Sequence, residues 1–364
     1  MGKEIVVTSL PMVGGDGPFS YSKNSQMQRR TSNLLKDRIE KLIMEKLDVE
    51  TLISRSNNTI CVADLGCATG PNTFLHVENI IKSIKSNLES RSDKYPSPEF
   101  LVFFNDLPSN DFNTLFTALP QDRSYFAVGV PGSFYSRLLP ESTVHVAVAL
   151  ASTHWLSRVP EELLDKNSKA WNKGRIHYSS APEEVVKAYE DQFGRDMEEF
   201  LEARAKEIVP GGLVVVGMCG IPRGIPFSNL AAGIMYETMA DVLHDMRSEG
   251  LVTEDQIDTF NLPIYHASPE EVRDSVEKNG SFTIEIMELM DPSAWLKWRM
   301  NSEDVREWTR CIRATMGTFF ITQFGEYVTE EILERLTTRL IDVTDKLEDS
   351  YREKIMLFFA LKRK

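Results

Sequence analysis

Apolar positions along the chain follow two rhythms. Short unbroken runs at residues 60–63, 100–104, 125–130, 144–151 and 213–218 read as strands buried on both faces. Between them the spacing turns helical. Leu34, Leu35, Ile39, Leu42 and Ile43 predict a helix over 25–47, and Phe74, Val77, Ile80, Ile81 and Ile84 predict another. Residues 182–208 read as a long charged helix that Pro210, Gly211 and Gly212 break, and residues 86–98 read as a polar loop. Strands separated by helices argue for an α/β chain with a mostly parallel sheet. Past Gly220 the pattern changes: residues 228–249, 270–278, 303–320 and 329–347 all read as helices. The sheet does not need them, so they are expected to form a cap over its ligand-binding edge. Residues 355–361 are apolar again and should return to the sheet. Residues 1–24 are glycine-rich and aperiodic, an arm whose Phe19 and Tyr21 belong to no element.

One stretch organises the rest, ICVADLGCATGPN at 60–72. A buried strand ends in Asp64, and Gly66 and Gly70 make a turn before a helix starts near Thr73. In an open α/β sheet this is a ligand position, at the carboxyl end of a strand. The glycines fall as GxxxG, and no Gly-Lys-Ser/Thr follows, so neither a GxGxxG dinucleotide turn nor a P-loop is present. The second strand ends in Asn105 and Asp106, which puts a carboxylate where two ribose hydroxyls would arrive. That is the nucleoside-binding half of a doubly wound sheet.

Composition narrows the picture. The 364 residues suit one large domain or two, with 42% apolar content for a core. A net charge of −13 argues against a nucleic-acid partner. The four cysteines, Cys61, Cys67, Cys219 and Cys311, show no metal-ligand spacing and no disulfide framework, which fits a reducing compartment. Gly2 is followed by Val6 where a myristoylation signal carries Ser or Thr. No signal peptide and no apolar run of about 18 residues appears. The expectation is a cytoplasmic protein with no membrane partner.

Eight segments in fixed order carry a resemblance: SYSKNSQMQ (20–28), ADLGCATGPNTF (63–74), FFNDLPSNDFNTLF (103–116), GVPGSFYSRLLP (129–140), HWLSRVP (154–160), NKGRIH (172–177), ARAKEIVPGG (203–212) and DTFNLPIY (258–265). With them the chain resembles the plant SABATH family. That family comprises carboxyl methyltransferases of salicylate, benzoate, jasmonate, indoleacetate, gibberellin and loganate, and the caffeine-pathway N-methyltransferases. The resemblance implies a class I methyltransferase, Rossmann-like, with a mostly parallel sheet, an α-helical cap and a homodimeric assembly. It implies an arm over the active site at 1–24, a cofactor-binding α/β domain at 25–220 and 350–364, and a cap holding the acceptor pocket at 221–349.

The implied cofactor is S-adenosyl-L-methionine. Position by position, the resemblance puts Tyr21, Ser25, Asp64, Cys67 and Asn72 near its methionine part, Asp106 on the ribose, and Leu107, Ser133 and Phe134 around the adenine. Gln28 and Trp155 fall on the acceptor carboxylate with His154 beside them, and Tyr236, Tyr265, Ile312 and Thr315 line the acceptor pocket. Some members are described with Mg2+; the matching positions are Asn172, Asp258, Phe260 through its carbonyl, and Asn261. Several of these residues also have plain structural readings. Gln28 sits on a polar helix face, Trp155 and His154 suit a core, and DTFN is a plausible turn and helix cap.

The implied reaction needs no acid or base. A carboxylate with a pKa of about 4.3 is already ionised at neutral pH. The protein must hold one oxygen in line with a sulfonium methyl and strip its water. A protonated amine or a phenol would need a base, and His154 is the nearby candidate. Two departures bear on the acceptor. Where salicylate-methylating members carry Lys in the arm, this chain has Val13. Where carboxyl methyltransferases commonly read SSYSLHW, it has ALASTHW, so Ala151 replaces an aromatic residue. Tyr236 also stands for a bulkier indole. Both changes open space for an acid larger than salicylate: a terpenoid, iridoid or long-chain acid. The competing readings are an N-methyltransferase acting on a purine or other nitrogen heterocycle, a cofactor binder without catalysis, and a nicotinamide dehydrogenase.

Overall fold

The computed structural model describes residues 9–91, 96–292, 300–351 and 353–364. The first eight residues, with Gly2 and Val6, and part of the polar loop lie outside the described residues. The elements run α1 (Gln26–Lys46), α2 (Val49–Arg55), β1 (Thr59–Leu65), α3 (Asn72–Arg91), β2 (Glu99–Asp106), α4 (Phe112–Thr117), β3 (Phe126–Pro131) and β4 (Val144–Leu150). Then follow α5 (Glu183–Glu207), β5 (Ile208–Cys219), α6 (Ala231–Ser248), α7 (Glu254–Asp258), α8 (Pro269–Asn279), β6 (Phe282–Met290), α9 (Ser302–Phe324), α10 (Glu326–Asp342), α11 (Thr344–Tyr351) and β7 (Met356–Arg363).

The strands form one sheet in the order β3-β2-β1-β4-β5-β7-β6. β1 pairs in parallel with β2 and β4, and β7 runs antiparallel to both its neighbours. Alternate side chains of β1 feed two cores. Ile60 and Val62 pack with Leu35, Ile43 and Ile80 of α1 and α3, while Cys61, Ala63 and Leu65 join the core of α5, α6 and α9. Strands covered on both faces need no polar alternation, which is why their sequences are unbroken apolar runs. The strand order reverses between β1 and β4, with β2 and β3 added on one side of β1 and β4 and β5 on the other, and such a switch point opens a crevice at the carboxyl ends of the strands.

Several expectations needed correction or completion. The loop expected over 86–98 starts late, because α3 continues through 86–91. The mostly helical 221–349 stretch also holds a strand that the sequence reading did not find: β6 lies within it and pairs with β7 as an edge strand. Its alternation Thr283, Ile284, Glu285, Ile286 is the signature of a half-buried strand. β5 starts at Ile208, before the proline and glycines. It absorbs them in a register shift against β4, with Val144 opposite Ile208 and Val146 opposite Leu213. A Cβ on Gly212 there would lie 2.7 Å from the carbonyl of His145. The helix expected over 329–347 is two helices, interrupted at Val343.

The arm is stitched to three parts of the molecule. The Val13 amide donates to the carbonyl of Ala314 in α9 (2.9 Å), and the Gly15 amide donates to Asp111 at the start of α4 (2.9 Å). The hydroxyl of Ser9 donates to the carbonyl of Leu156 (3.0 Å). Residues 9–24 thus strap the cap to the sheet edge.

Candidate active site

A cavity of about 290 Å3 occupies the switch-point crevice. The sheet loops give it Gly66, Ala68, Asp106, Ser133, Phe134 and Ala151; the arm gives it Tyr21; the cap gives it Tyr236, Ile312 and Thr315. Asp106 is the only acidic residue in the wall, and no Lys or Arg lines it among the described residues.

The turn after β1 is shaped by contact. Gly66 has φ +88°, and a Cβ there would come 2.5 Å from that of Ser152, so no side chain fits. The Gly66 and Cys67 amides donate to the carbonyl of Asn105 (2.9 and 3.0 Å), which ties the turn to β2. The next amide, of Ala68, donates to Asp106 Oδ2 (2.8 Å), and the Leu107 amide donates to Oδ1 (2.7 Å). Asp106 is thereby fixed with lone pairs to spare on both oxygens, which suits two vicinal hydroxyls. Burial pushes its carboxyl up to about 6 against the lowering effect of those two amides. Leu107, Ser133 and Phe134 share this end of the cavity.

Ser25, Asp64, Cys67 and Asn72 sit one layer behind the wall rather than in it. Asn72 donates to the carbonyl and hydroxyl of Ser25 (both 3.0 Å), joining α3 to the start of α1. Asp64 is buried, hydrogen-bonded by the Thr73 hydroxyl and by His76 Nε2 (3.0 Å). Tyr21 covers this layer; its ring would lie 3.2 Å from a Cβ on Gly70.

At the other end, Gln28 and Trp155 line the cavity together. The Trp155 indole stacks on Phe319 (5.6 Å between centroids, 11° between planes). The Gln28 amide reaches Cys311 Sγ at 3.3 Å. Burial raises that thiol to about 11, so it stays neutral and is a weak partner that a carboxylate can displace. His154 is buried beside Trp155, its ring centroid 6.0 Å from the indole, and burial lowers its imidazole to about 4. Ala151 lies in the wall with φ +60°.

Tyr265 is the pocket residue the structure moves. It follows Ile264 and precedes His266, which both line the cavity, but its own side chain points away. Its hydroxyl donates to Glu271 (2.6 Å) and its ring packs on Tyr178 and Phe193. Alternation along this extended segment sends neighbouring side chains to opposite sides.

Asn172, Asp258 and Asn261 come together outside the cavity. Asn172 donates to Asn261 Oδ1 (2.7 Å), and Asp258 Oδ1 accepts the Gly174 amide (2.8 Å). Asn172 Oδ1 is buried without a partner. The donors are all oxygen, which suits a hard cation, yet two of them are already engaged internally. No reaction step runs through this cluster.

Sequence reasoning missed three features. The buried pair Arg204–Glu207 (2.6 Å) grips the loop after β3: Arg204 donates to the carbonyls of Phe134 (2.6 Å) and Ser136 (3.1 Å), and Glu207 accepts the Leu139 amide (2.9 Å). An Arg and a Glu three apart at a helix end were the available signal. Cys311 and His266 had none, because tertiary packing alone brings them to the cavity.

The profile of the S-adenosylmethionine-dependent carboxyl methyltransferases matches residues 7–364. The chain belongs to this family. A loganic acid O-methyltransferase of Catharanthus roseus is 41% identical over 98% of this chain and 95% of its own length. Paraxanthine methyltransferase 2 of Arabidopsis thaliana is 39% identical over 92% of this chain and 93% of its own. A loganic acid methyltransferase solved with SAH superposes with a TM-score of 0.92 at 41% identity, covering 97% of this chain and 99% of that one. The fold is therefore the Rossmann-like class I methyltransferase fold, and the cofactor is S-adenosyl-L-methionine. The enzyme is a SABATH carboxyl O-methyltransferase of small plant acids. No helix among the described residues is long and apolar enough to cross a membrane.

Proposed function

We propose that this methyltransferase esterifies an acid larger than salicylate, held by two neutral donors in a cavity that no Lys or Arg lines among the described residues. The observation that carries this reading is the wall itself: Gln28 and Trp155 both line it, no Lys or Arg does among the described residues, and Ala151 lies in it. The cofactor supplies an electrophilic methyl on a sulfonium, which in-line displacement moves to a carboxylate oxygen. Asp106 receives the ribose, and Phe134 and Leu107 enclose the adenine. Tyr21 covers the layer of Ser25, Asp64, Cys67 and Asn72 against which the methionine part lies. The Gln28 amide and the Trp155 indole orient the carboxylate without an ion pair that would blunt its nucleophilicity. The cap and arm exclude water, which strengthens the pull between carboxylate and sulfonium.

Nitrogen acceptors are favoured less. The paraxanthine-named relative keeps that reading open, but a protonated or weakly acidic acceptor needs a base. His154, held near 4, is a poor one at neutral pH. The deciding experiment is labelled-methyl transfer to a panel of acids, purines and phenols, followed by base hydrolysis. A base-labile methyl on terpenoid- or iridoid-sized acids is the expected result. A base-stable product, or activity confined to benzoate-sized acids, overturns the reading.

Three lesser assignments accompany it. A hard cation such as Mg2+ at Asn172, Asp258, Asn261 and the Phe260 carbonyl would brace the cap; a thermal midpoint unmoved by Mg2+ or chelator sinks this. A homodimer is inferred from the family resemblance, and a single-chain mass in light scattering refutes it. The four free cysteines suit the cytoplasm, which a fluorescent fusion tests.

A further inference from the structure

The far wall of the acceptor end is more polar than a hydrocarbon acid requires. His154, His266 and Tyr236 all line it. The His154 and His266 rings are 6.4 Å apart, so the polar groups continue from the Trp155 clamp through His154 to His266. His266 stands edge-on to the Phe227 ring (4.8 Å, 70°), and Tyr236 lies against the same ring (6.3 Å). The His266 backbone is fixed by its amide, which donates to the Tyr178 hydroxyl (3.2 Å). Among the described residues neither imidazole makes a side-chain hydrogen bond, and the Tyr236 hydroxyl has no partner. His154 Nδ1 is buried and unpaired. Around them the wall is Leu230, Met235, Ile264, Ile312 and Met316.

Buried polar groups left without partners are costly, and native proteins pair nearly all of them. Here the unpaired His266 ring and Tyr236 hydroxyl belong to side chains that line a ligand cavity. Burial keeps both imidazoles uncharged at neutral pH, and His154 and His177 lower the tendency of His266 to protonate further. A neutral imidazole offers one donor and one acceptor, which matches a hydroxyl that both gives and takes. A second carboxylate on the acceptor would find no cation among the described residues of the wall.

We propose that His266, with Tyr236, forms a subsite for an uncharged hydroxyl remote from the reacting carboxylate, so that the acceptors are hydroxylated acids rather than plain hydrocarbon ones. The proposal rests on the ester reading above and specifies its substrate class. His266 is a specificity-determining residue and takes no part in methyl transfer. A site built to pair a hydroxyl rejects the analogue lacking it far better than an apolar pocket rejects an extra group.

The test compares geranic acid with 8-hydroxygeranic acid, by initial rates and by calorimetric binding in the presence of S-adenosylhomocysteine. The expected result is a kcat/KM at least 30-fold higher for the hydroxy acid, carried by KM. His266→Phe keeps the ring shape, and should bring the two acids within threefold by weakening the hydroxy acid. His266→Gln restores a donor and an acceptor and should recover most of the preference, which separates recognition from a folding defect. Equal use of the two acids by the wild type, or a preference that survives in His266→Phe, overturns the subsite. So does an enzyme that esterifies other acids but neither binds nor methylates this pair; that outcome leaves the ester chemistry standing. A base-stable methyl product in the wider panel overturns the ester chemistry itself.

Discussion

The two ends of the cavity are built on opposite plans. At the cofactor end the polar groups already have protein partners. Asp106 takes two backbone amides, Asp64 takes Thr73 and His76, Asn72 holds Ser25, and Arg204–Glu207 grips the loop of Phe134. At the acceptor end the imidazoles and the Tyr236 hydroxyl have none, and Gln28 rests on a thiol. The first end is pre-organised for one invariant ligand. The second leaves its hydrogen bonds to whatever acid arrives. Chemistry and selectivity can therefore change independently, because few side chains belong to both.

Substitutions should respect that division, and the largest effect falls on Asp106. Asp106→Ala removes the two charge-assisted bonds proposed to the ribose, and a loss of about 100- to 1000-fold in cofactor affinity is expected. Calorimetry with S-adenosylhomocysteine checks it. The acceptor KM, measured at saturating cofactor, should stay within about threefold of wild type. A comparable rise in acceptor KM would show the two ends to be one coupled unit.

The acceptor-side counterpart is Ala151→Tyr. It refills the rim at a position with φ +60°, where a large side chain is strained. Crowding of this kind typically costs ~1–3 kcal/mol, or roughly 5- to 100-fold in kcat/KM for terpenoid-sized acids. Benzoate-sized acids should lose less, and cofactor affinity should not move. Equal losses for small and large acids would mean that the rim does not set acceptor size.

How much of this was open to reading from the sequence follows the same division. The strand runs, the glycine turn and Asp106 are local signals, because a buried parallel strand must be apolar and a ligand turn must be small. The mostly parallel character of the sheet followed from strands separated by helices, whereas its strand order came only with the structure. β6 escaped notice because a half-buried edge strand between helices carries only a short alternation. The acceptor wall was legible only through the family resemblance. Ile264, Tyr265 and His266 are consecutive, and nothing in the sequence marks them as an extended segment whose first and third residues line the cavity while the second turns to Glu271. Cys311 reaches Gln28 across 283 positions of chain, a contact that exists only in the packed molecule.

Arg204→Met tests whether the cofactor end depends on residues that never touch the ligand. Removing one partner of a buried pair leaves Glu207 uncompensated, at a cost of about 3–5 kcal/mol in stability. The loop of Ser133 and Phe134 also loses two of its anchors. A thermal midpoint lower by several degrees, and cofactor binding weaker by about tenfold, is the expected pair of results. Replacing Glu207 by Gln as well should recover stability more than affinity, since the carbonyl anchors stay lost. Unchanged affinity in a stable variant would show that the loop holds its shape alone.

The smallest effect is also the most direct contrast between the ends, because it uses protons alone. Burial raises the Asp106 carboxyl from its ordinary value to about 6, so in the cofactor-free protein it takes up a proton as the pH falls through that value. A raised carboxyl contributes to the stability of the free protein below its unfolded pKa, and that contribution is lost as pH rises through 6. Ribose binding has the opposite preference, since ionised oxygens accept its hydroxyls best. Cofactor affinity should therefore fall by about tenfold between pH 7 and pH 5, and the thermal shift on adding S-adenosylhomocysteine should shrink in the same window. The acceptor end has no such group: His154 titrates near 4, and a carboxylic acid is ionised throughout. With cofactor saturating, kcat should then be flat from about pH 6 to 8, where neither group changes charge. A kcat rising tenfold per pH unit across that range would mean that a proton leaves during the reaction, and the neutral-clamp account of Gln28 and Trp155 would fail with it.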